Sequence, residues 1–251
     1  MTSRSSAWIV AVIAAIVVFG APLIVAGAVN KNDPEIRVIR TGDAFTALFV
    51  TDDARALVVN SSDRRVTRSA IGLLARPWEP DPETLIAPAD DSAASGIWEA
   101  MKHPAATQIV IVGLPGAEPV WAAIERESRS RDIDVVYVAE DSTIDMNDLL
   151  LSVKPATGRR APAIIARHDR TTVLVSLDAQ SPSTPSHVSI LNSVPDIPVA
   201  TDLIVAPEIL DSRSNNRVIV PKNREVVRLS MGKDDVSVRG GRLYLSDDAT
   251  N

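Results

Sequence analysis

The chain has 251 residues, a net charge of −6 and no cysteine. Disulfides, zinc–thiolate sites and cysteine nucleophiles are thereby excluded, and the interspersed acids and bases make no basic stripe of the kind that binds phosphate backbones. Beyond the first thirty or so residues the length suffices for one large domain or two small ones, with a core that needs no covalent staple.

Residues 7–29, AWIVAVIAAIVVFGAPLIVAGAV, hold no charge. About 20 apolar residues cross a bilayer core as a helix, so this run predicts one transmembrane helix within an N-terminal membrane anchor, residues 1–30. Basic flanks set orientation and acids count little. Arg4 precedes the run and Lys31, Arg37 and Arg40 follow it, so that signal is weak and the N-terminus is placed inside as for a first inserting segment. A second reading is a signal peptide cleaved near Ala28, where Ala26-Gly27-Ala28 fits a small-x-small site and Gly20 and Pro22 break the preceding helix. Either reading puts the remainder outside the cytoplasm, single-pass and membrane-bound or secreted.

KNDPE (31–35) reads as a linker. Segments rich in β-branched residues follow, separated by turn signals. IRVI (36–39) is the first, and FTALFV (45–50) and RALVVN (55–60) flank a TDDA hairpin turn. TLIA (84–87) follows the proline-rich RPWEPDPE, and a helix begins near Ser95. QIVIVG (108–113) and DVVYVA (134–139) are continuous apolar runs, typical of strands covered on both faces. SGIWEAMKH (95–103) and AEPVWAAIERESRSR (117–131) have helical apolar spacing, with Trp98 and Trp121 as core anchors.

After VKPATGRRAP (153–162), AIIAR (163–167) and TVLVSLD (172–178) read as a hairpin with His168-Asp169-Arg170 at its turn. HVSILNSV (187–194) reads as a short helix. DLIVA (202–206), RVIVP (217–221), EVVRLS (225–230), VSVRG (236–240) and RLYLS (242–246) read as strands. Strand–helix alternation with strands at both ends predicts an α/β fold of two sheets packed together with helices outside. A rival arrangement is two α/β domains divided near 153–162.

The opening IRVIRTGDAFTALFVTDDARALVVNSS resembles the start of the metallo-β-lactamase fold, closest to the C-terminal domain of ComEC/Rec2-type competence proteins. The resemblance covers roughly residues 36–248 and implies an αββα sandwich of two mixed β-sheets with outer helices. In that family Asp-Gly-Gly ends the strand where Asn60-Ser61-Ser62 stand here. The family's T-H-x-H-x-D-H element aligns with TLIAPADDSAASGIWEAM when Gly96 matches the second family glycine. Ala87 then takes the threonine position, Pro88 and Asp90 the first two histidines, Ser92 the aspartate and Ala93 the last histidine. TTVLVSLDA places Asp178 at the metal-bridging aspartate, and in DLIVAPEILDS Pro207 and Glu208 occupy the final histidine pair.

Zinc hydrolases need imidazoles and carboxylates that hold metal and lower the pKa of a bound water to about 7. Every histidine position of this alignment is empty, and His103, His168 and His187 fall elsewhere. The plain role for Asp90 to Ser92 is to cap the following helix. The sharper alternative is a hard-cation site of Asp90, Asp91 and Asp178, since oxygen ligands suit magnesium, manganese or calcium. No G-x-S-x-G elbow occurs. GLPGAEP (113–119) lacks the features of a phosphate loop and reads as a turn into a helix. Arg55, Arg64, Arg65, Arg68 and Arg76 form a local basic stretch, either a solvated surface or a contact to an anionic partner, phospholipid or DNA.

The expectation is therefore a membrane-anchored, extracytoplasmic domain without a catalytic centre or cofactor, acting by binding a protein or ligand. The alternative, which the resemblance implies, is a phosphodiesterase or nuclease using a divalent hard cation at a carboxylate-only site, with DNA as a partner.

Overall fold

The computed structural model describes residues 33–41, 44–157, 161–177, 185–191, 201–206, 217–222 and 224–244. The expected anchor, its cleavage site and residues 31–32 of the linker lie outside the described residues. Among the described residues no helix is long and apolar enough to cross a membrane.

The chain opens with an antiparallel meander, β1 (Glu35–Thr41), β2 (Ala44–Val50) and β3 (Arg55–Val58). The TDDA turn is closed by Thr51 N–H donating to Ala54 O at 3.0 Å. Helix α1 (Arg64–Leu74) leads to β4 (Thr84–Pro88), α2 (Asp91–Ala100) to β5 (Gln108–Val112), and α3 (Pro119–Ser130) to β6 (Asp134–Val138). Strands β3 to β6 run parallel, as helical crossovers require.

The second sheet begins with β7 (Ser142–Asp145), β8 (Leu150–Lys154), β9 (Ala163–His168) and β10 (Thr171–Ser176), all antiparallel. Parallel strands β11 (Ser186–Ile190), β12 (Thr201–Val205) and β13 (Arg217–Val220) follow. The chain then returns to the first sheet with β14 (Val226–Met231) and β15 (Val236–Arg239), and β16 (Arg242–Tyr244), the last described strand, joins the second. The two orders are β15-β14-β1-β2-β3-β4-β5-β6 and β16-β13-β12-β11-β10-β9-β8-β7.

The inner faces of both sheets share one core. Ile36, Val38, Phe49, Val58 and Ile86 of the first meet Leu151, Val153, Ile164, Val175 and Ile190 of the second. A second apolar layer joins the outer face of the first sheet to its helices through Leu48, Leu57, Leu85 and Ile111 against Ile71, Leu74, Ile97 and Trp121. All three described helices cover this sheet. Ile165, Leu174, Ile204 and Val218 line the outer face of the second.

Four readings from sequence change here. Residues 187–190 are strand, not helix, because β11 lies between parallel β10 and β12 and turns Val188 and Ile190 into the shared core. Helix α2 starts at Asp91, four residues ahead of Ser95. Strand β6 is an edge strand with Val136 41% exposed, so it is not covered on both faces. The chain does not divide near 153–162, since β14 pairs with β1, Ile36 opposite Leu229, and both sheets build one core. Helix α1 and the β7–β8 hairpin add to the elements read from the sequence. The α1 stripe of Thr67, Ala70, Ile71 and Leu74 has the helical spacing but is weakly apolar, in a segment whose arginines dominate.

Candidate functional site

The carboxyl ends of parallel strands are where open α/β sheets hold ligands. In the first sheet this edge collects Asn60 to Ser62 after β3, Ala89 and Asp90 after β4, and Gly113 to Glu118 after β5. Strand β4 is central there. Pro88 ends it, where a missing N–H costs no interior ladder bond, and Ala89 N–H resumes pairing by donating to Val112 O at 3.0 Å.

Asp90 has an extended backbone, φ −110° and ψ 131°, and its Oδ1 accepts the Ser92 N–H at 2.9 Å. It is the N-cap of α2. Asp91 stands in the first turn, where a carboxylate favours the helix dipole, and its Oδ1 accepts the Trp121 indole N–H at 2.7 Å. Trp121 is buried on α3, so this bond ties two helices together. Ser92 is exposed. Ala93 is buried in the helix–sheet layer and faces away from the loop.

Gly96 is required by backbone proximity. A Cβ there would meet Ser61 O at 2.4 Å and Val59 Cγ1 at 2.7 Å. Helix α2 therefore rests directly on the turn after β3. That turn feeds α1, where Asp63 Oδ1 accepts the Arg65 N–H at 2.7 Å as N-cap. On the far side, Gly113 has φ 107°, a conformation other residues avoid, and Leu114 behind it is 72% exposed. GLPGAE is a turn into α3, with Pro119 as the first helical residue.

The described residues do not fit a dinuclear metal centre. Pro88 and Ala93 offer no donor atom, Asp90 caps a helix, and Asp91 holds an indole. Among the described residues no group of three or more histidine, aspartate or glutamate side chains is placed to hold a metal ion. Asp178, Pro207 and Glu208 lie outside the described residues. The histidines are dispersed. His103 Nδ1 lies 3.6 Å from Asp81 Oδ2, and His168 Nδ1 lies 2.6 Å from Asp148 O. His187 Nδ1 accepts the Thr172 N–H at 3.1 Å, which leaves the ring proton of a neutral imidazole on Nε2.

An electrostatic cluster is hidden in the sequence because its arginine lies inside the IRVI strand. Arg37 is 2% exposed beneath α1. It donates to Leu74 O at 2.9 Å, capping the last turn of that helix, and to Glu35 and Glu79. Burial by itself lowers the Arg37 pKa, but the bonds to Glu79 and Glu35 outweigh it and raise the guanidinium above its ordinary value. Glu79 is held below its ordinary value by the Arg37 bond. A second clamp joins α1 to α2. Buried Glu99 accepts from Lys102 Nζ at 2.7 Å and from Arg68 Nε at 2.6 Å, and the Lys102 bond in particular lowers its pKa.

No protein-family model and no curated protein matches the chain. Solved structures do resemble it, at low identity. Zinc-bound PqqB from Methylobacterium extorquens is 8% identical with a TM-score of 0.43, over 63% of this chain and 73% of that one. The metallo-β-lactamase fold protein YhfI from Bacillus subtilis is 14% identical with a TM-score of 0.43, over 63% of this chain and 70% of that one. CmlA, a diiron β-hydroxylase from Streptomyces venezuelae, is 10% identical with a TM-score of 0.44, over 70% of this chain and 45% of that one. Such identities transfer no residue role.

Proposed function

We propose that the protein is a membrane-anchored, extracytoplasmic sandwich of the metallo-β-lactamase type that binds a partner or ligand and performs no metal-dependent hydrolysis. The observation that carries this is the employment of Asp90 and Asp91. Both carboxylates at the carboxyl end of β4 are engaged in holding α2, one to its own N-terminus and one to Trp121 of α3. The edge that serves chemistry in enzymes of this architecture thus serves packing here. The uncharged run 7–29 supports the anchor. The order strand–strand–strand, then three helix–strand units, then a second mixed sheet, supports the family reading.

The test is metal content and divalent-metal titration of the purified full chain, with a phosphodiester hydrolysis assay across magnesium, manganese, calcium and zinc. The expected result is no stoichiometric metal and no hydrolysis. A stoichiometric metal that disappears in Asp90→Ala would establish the carboxylate-site hydrolase instead.

A further inference from the structure

The surface over α1 carries a charge balance opposite to that of the whole chain. Arg64, Arg65 and Arg68 are exposed on α1, and the Arg64 guanidinium lies 6.0 Å from the Trp98 ring centroid. Arg228 pairs across strands with both Arg37 and Arg239. Such partners share a sheet face, and Arg37 lies under α1. Arg228 and Arg239, both exposed, therefore continue the arginine surface beyond the flank of the helix. Arg76 joins it at the far end. The acids nearby are outnumbered and engaged: Glu35 with Arg37, Arg76 and Arg228, Glu79 with Arg37 and Arg76, Glu99 with Lys102 and Arg68, and Asp63 with the α1 N-terminus. Arg64, Arg65, Arg68 and Arg76 form one basic stretch in the sequence, and the fold adds Arg228 and Arg239 to it.

The same surface ends in exposed apolar groups. Leu73 is 44% exposed in the last turn of α1, and Trp78 is 77% exposed. Trp78 sits in a turn closed by Glu79 N–H donating to Arg76 O at 2.9 Å. The base of that turn is tied to Glu35, with Arg76 Nη2 3.7 Å from Glu35 Oε2 and Arg37 bonded to Glu35 and Glu79 together. Glu35 opens β1, and only five residues, 30–34, separate it from the end of the uncharged run 7–29. At roughly 3.3–3.6 Å per residue such a spacer reaches about 17 Å. A bilayer entered by that run is therefore within a short reach of Trp78.

We propose that the α1 surface, with Arg228 and Arg239, docks on the anionic headgroup layer of the membrane in which the chain is anchored, and that Trp78 and Leu73 enter its interfacial zone. The inference rests on the anchored reading above. Arginine forks match lipid phosphates. Indole sits well at the boundary of headgroup and acyl chain, and basic clusters draw a domain onto anionic lipid within a Debye length. Duplex DNA would also meet the arginines, but it gives no reason for exposed Trp78 and Leu73.

The chain has no cysteine, so single cysteines report cleanly. Leu73→Cys and Leu114→Cys, the second following β5 at the opposite end of the parallel strands, are labelled with a polarity-sensitive dye in the full chain. The protein is reconstituted in phosphatidylglycerol–phosphatidylcholine vesicles. The expected result is a blue-shifted label at position 73 with several-fold weaker iodide quenching than at position 114, lost in pure phosphatidylcholine or on adding Arg64→Glu and Arg65→Glu. Alkaline extraction run in parallel reports the anchor. A chain that stays with the vesicles while position 73 is as wet as position 114 overturns the docking alone. A chain extracted from them overturns the anchor and the docking with it. Protection of position 73 by duplex DNA but not by vesicles overturns the docking in favour of a nucleic-acid surface.

Discussion

The Trp121 indole N–H donates to Asp91 Oδ1 at 2.7 Å, joining the first turn of α2 to the first turn of α3. An aspartate in the first turn of α2 thus satisfies a buried donor. Asp91→Ala leaves that N–H without a partner, and the expected loss is about 1–3 kcal/mol. Asp91→Asn keeps an acceptor and loses less. Denaturant midpoints of the two variants against the parent check the order.

Gly96 and Gly72 make opposite predictions for the same substitution. A methyl group at Gly96 meets Ser61 O at 2.4 Å, whereas at Gly72 nothing lies within 4 Å. Alanine favours a helix interior over glycine by about 1 kcal/mol. Gly72→Ala is therefore expected to stabilise by about 0.5–1 kcal/mol. Gly96→Ala is expected to destabilise by about 1–3 kcal/mol, because backbone must shift to admit it. Thermal unfolding of both variants gives the signs directly.

Arg37 and Glu79 set an acid limit. Glu79→Ala leaves a buried guanidinium short of one counter-ion, with an expected cost of about 3 kcal/mol. The folded pKa of Glu79 is held below the ordinary 4.5, as is that of Glu99. Glu225, bonded by the backbone N–H groups of Lys222 and Gly241, is also lowered. Each contribution is present above the unfolded value and is lost as pH falls through the folded one, where the unfolded chain binds more protons. Urea midpoints should thus be level near neutrality and fall below pH 4.5, with a shallower fall in Glu79→Gln.

Tyr137 sets the corresponding alkaline limit. Its burial, and then its bond to Glu125 at 2.5 Å, push its phenol up to about 12 from 10.0. A raised pKa here favours the neutral form, so its contribution is complete below pH 10.0 and is lost as pH rises through about 12. Phenolate absorbance should show one of the two tyrosines titrating late. Glu125→Gln should bring that midpoint down part of the way, since burial remains.

Proteolysis within residues 155–162 should nick the chain without separating it. Strand β14, far beyond the nick, pairs with β1 before it, and Leu229 lies in the same core as Ile36 and Val38. The fragments are expected to co-elute under native conditions and to part only in denaturant. Two independently folded fragments would restore the two-domain arrangement.

Most strands were legible because their signal is local. IRVI, FTALFV and QIVIVG carry β-branched runs between turn residues, and those runs bury on whichever sheet they join. The cap at Asp90 was legible for the same reason, since a cap involves residues two or three apart. Other features depend on partners distant in the chain. HVSI became a strand because parallel neighbours bonded it on both sides. Asp91 acquired its role from Trp121, thirty residues on. Arg37 was hidden in an apolar run and is explained only by Glu79 and the end of α1.

By itself, then, the sequence determined the charge-free N-terminal run, the exclusion of thiol chemistry and most of the strand inventory. These follow from composition and from interactions that span a few residues. Only the tertiary structure decided the return of β14 and β15 to the first sheet, the single core, the employment of both carboxylates in packing, and the joining of Arg228 and Arg239 to the arginines of α1. Those depend on pairs brought together by burial of apolar faces, a force without direction that fixes sheet partners through the whole chain rather than through any one segment.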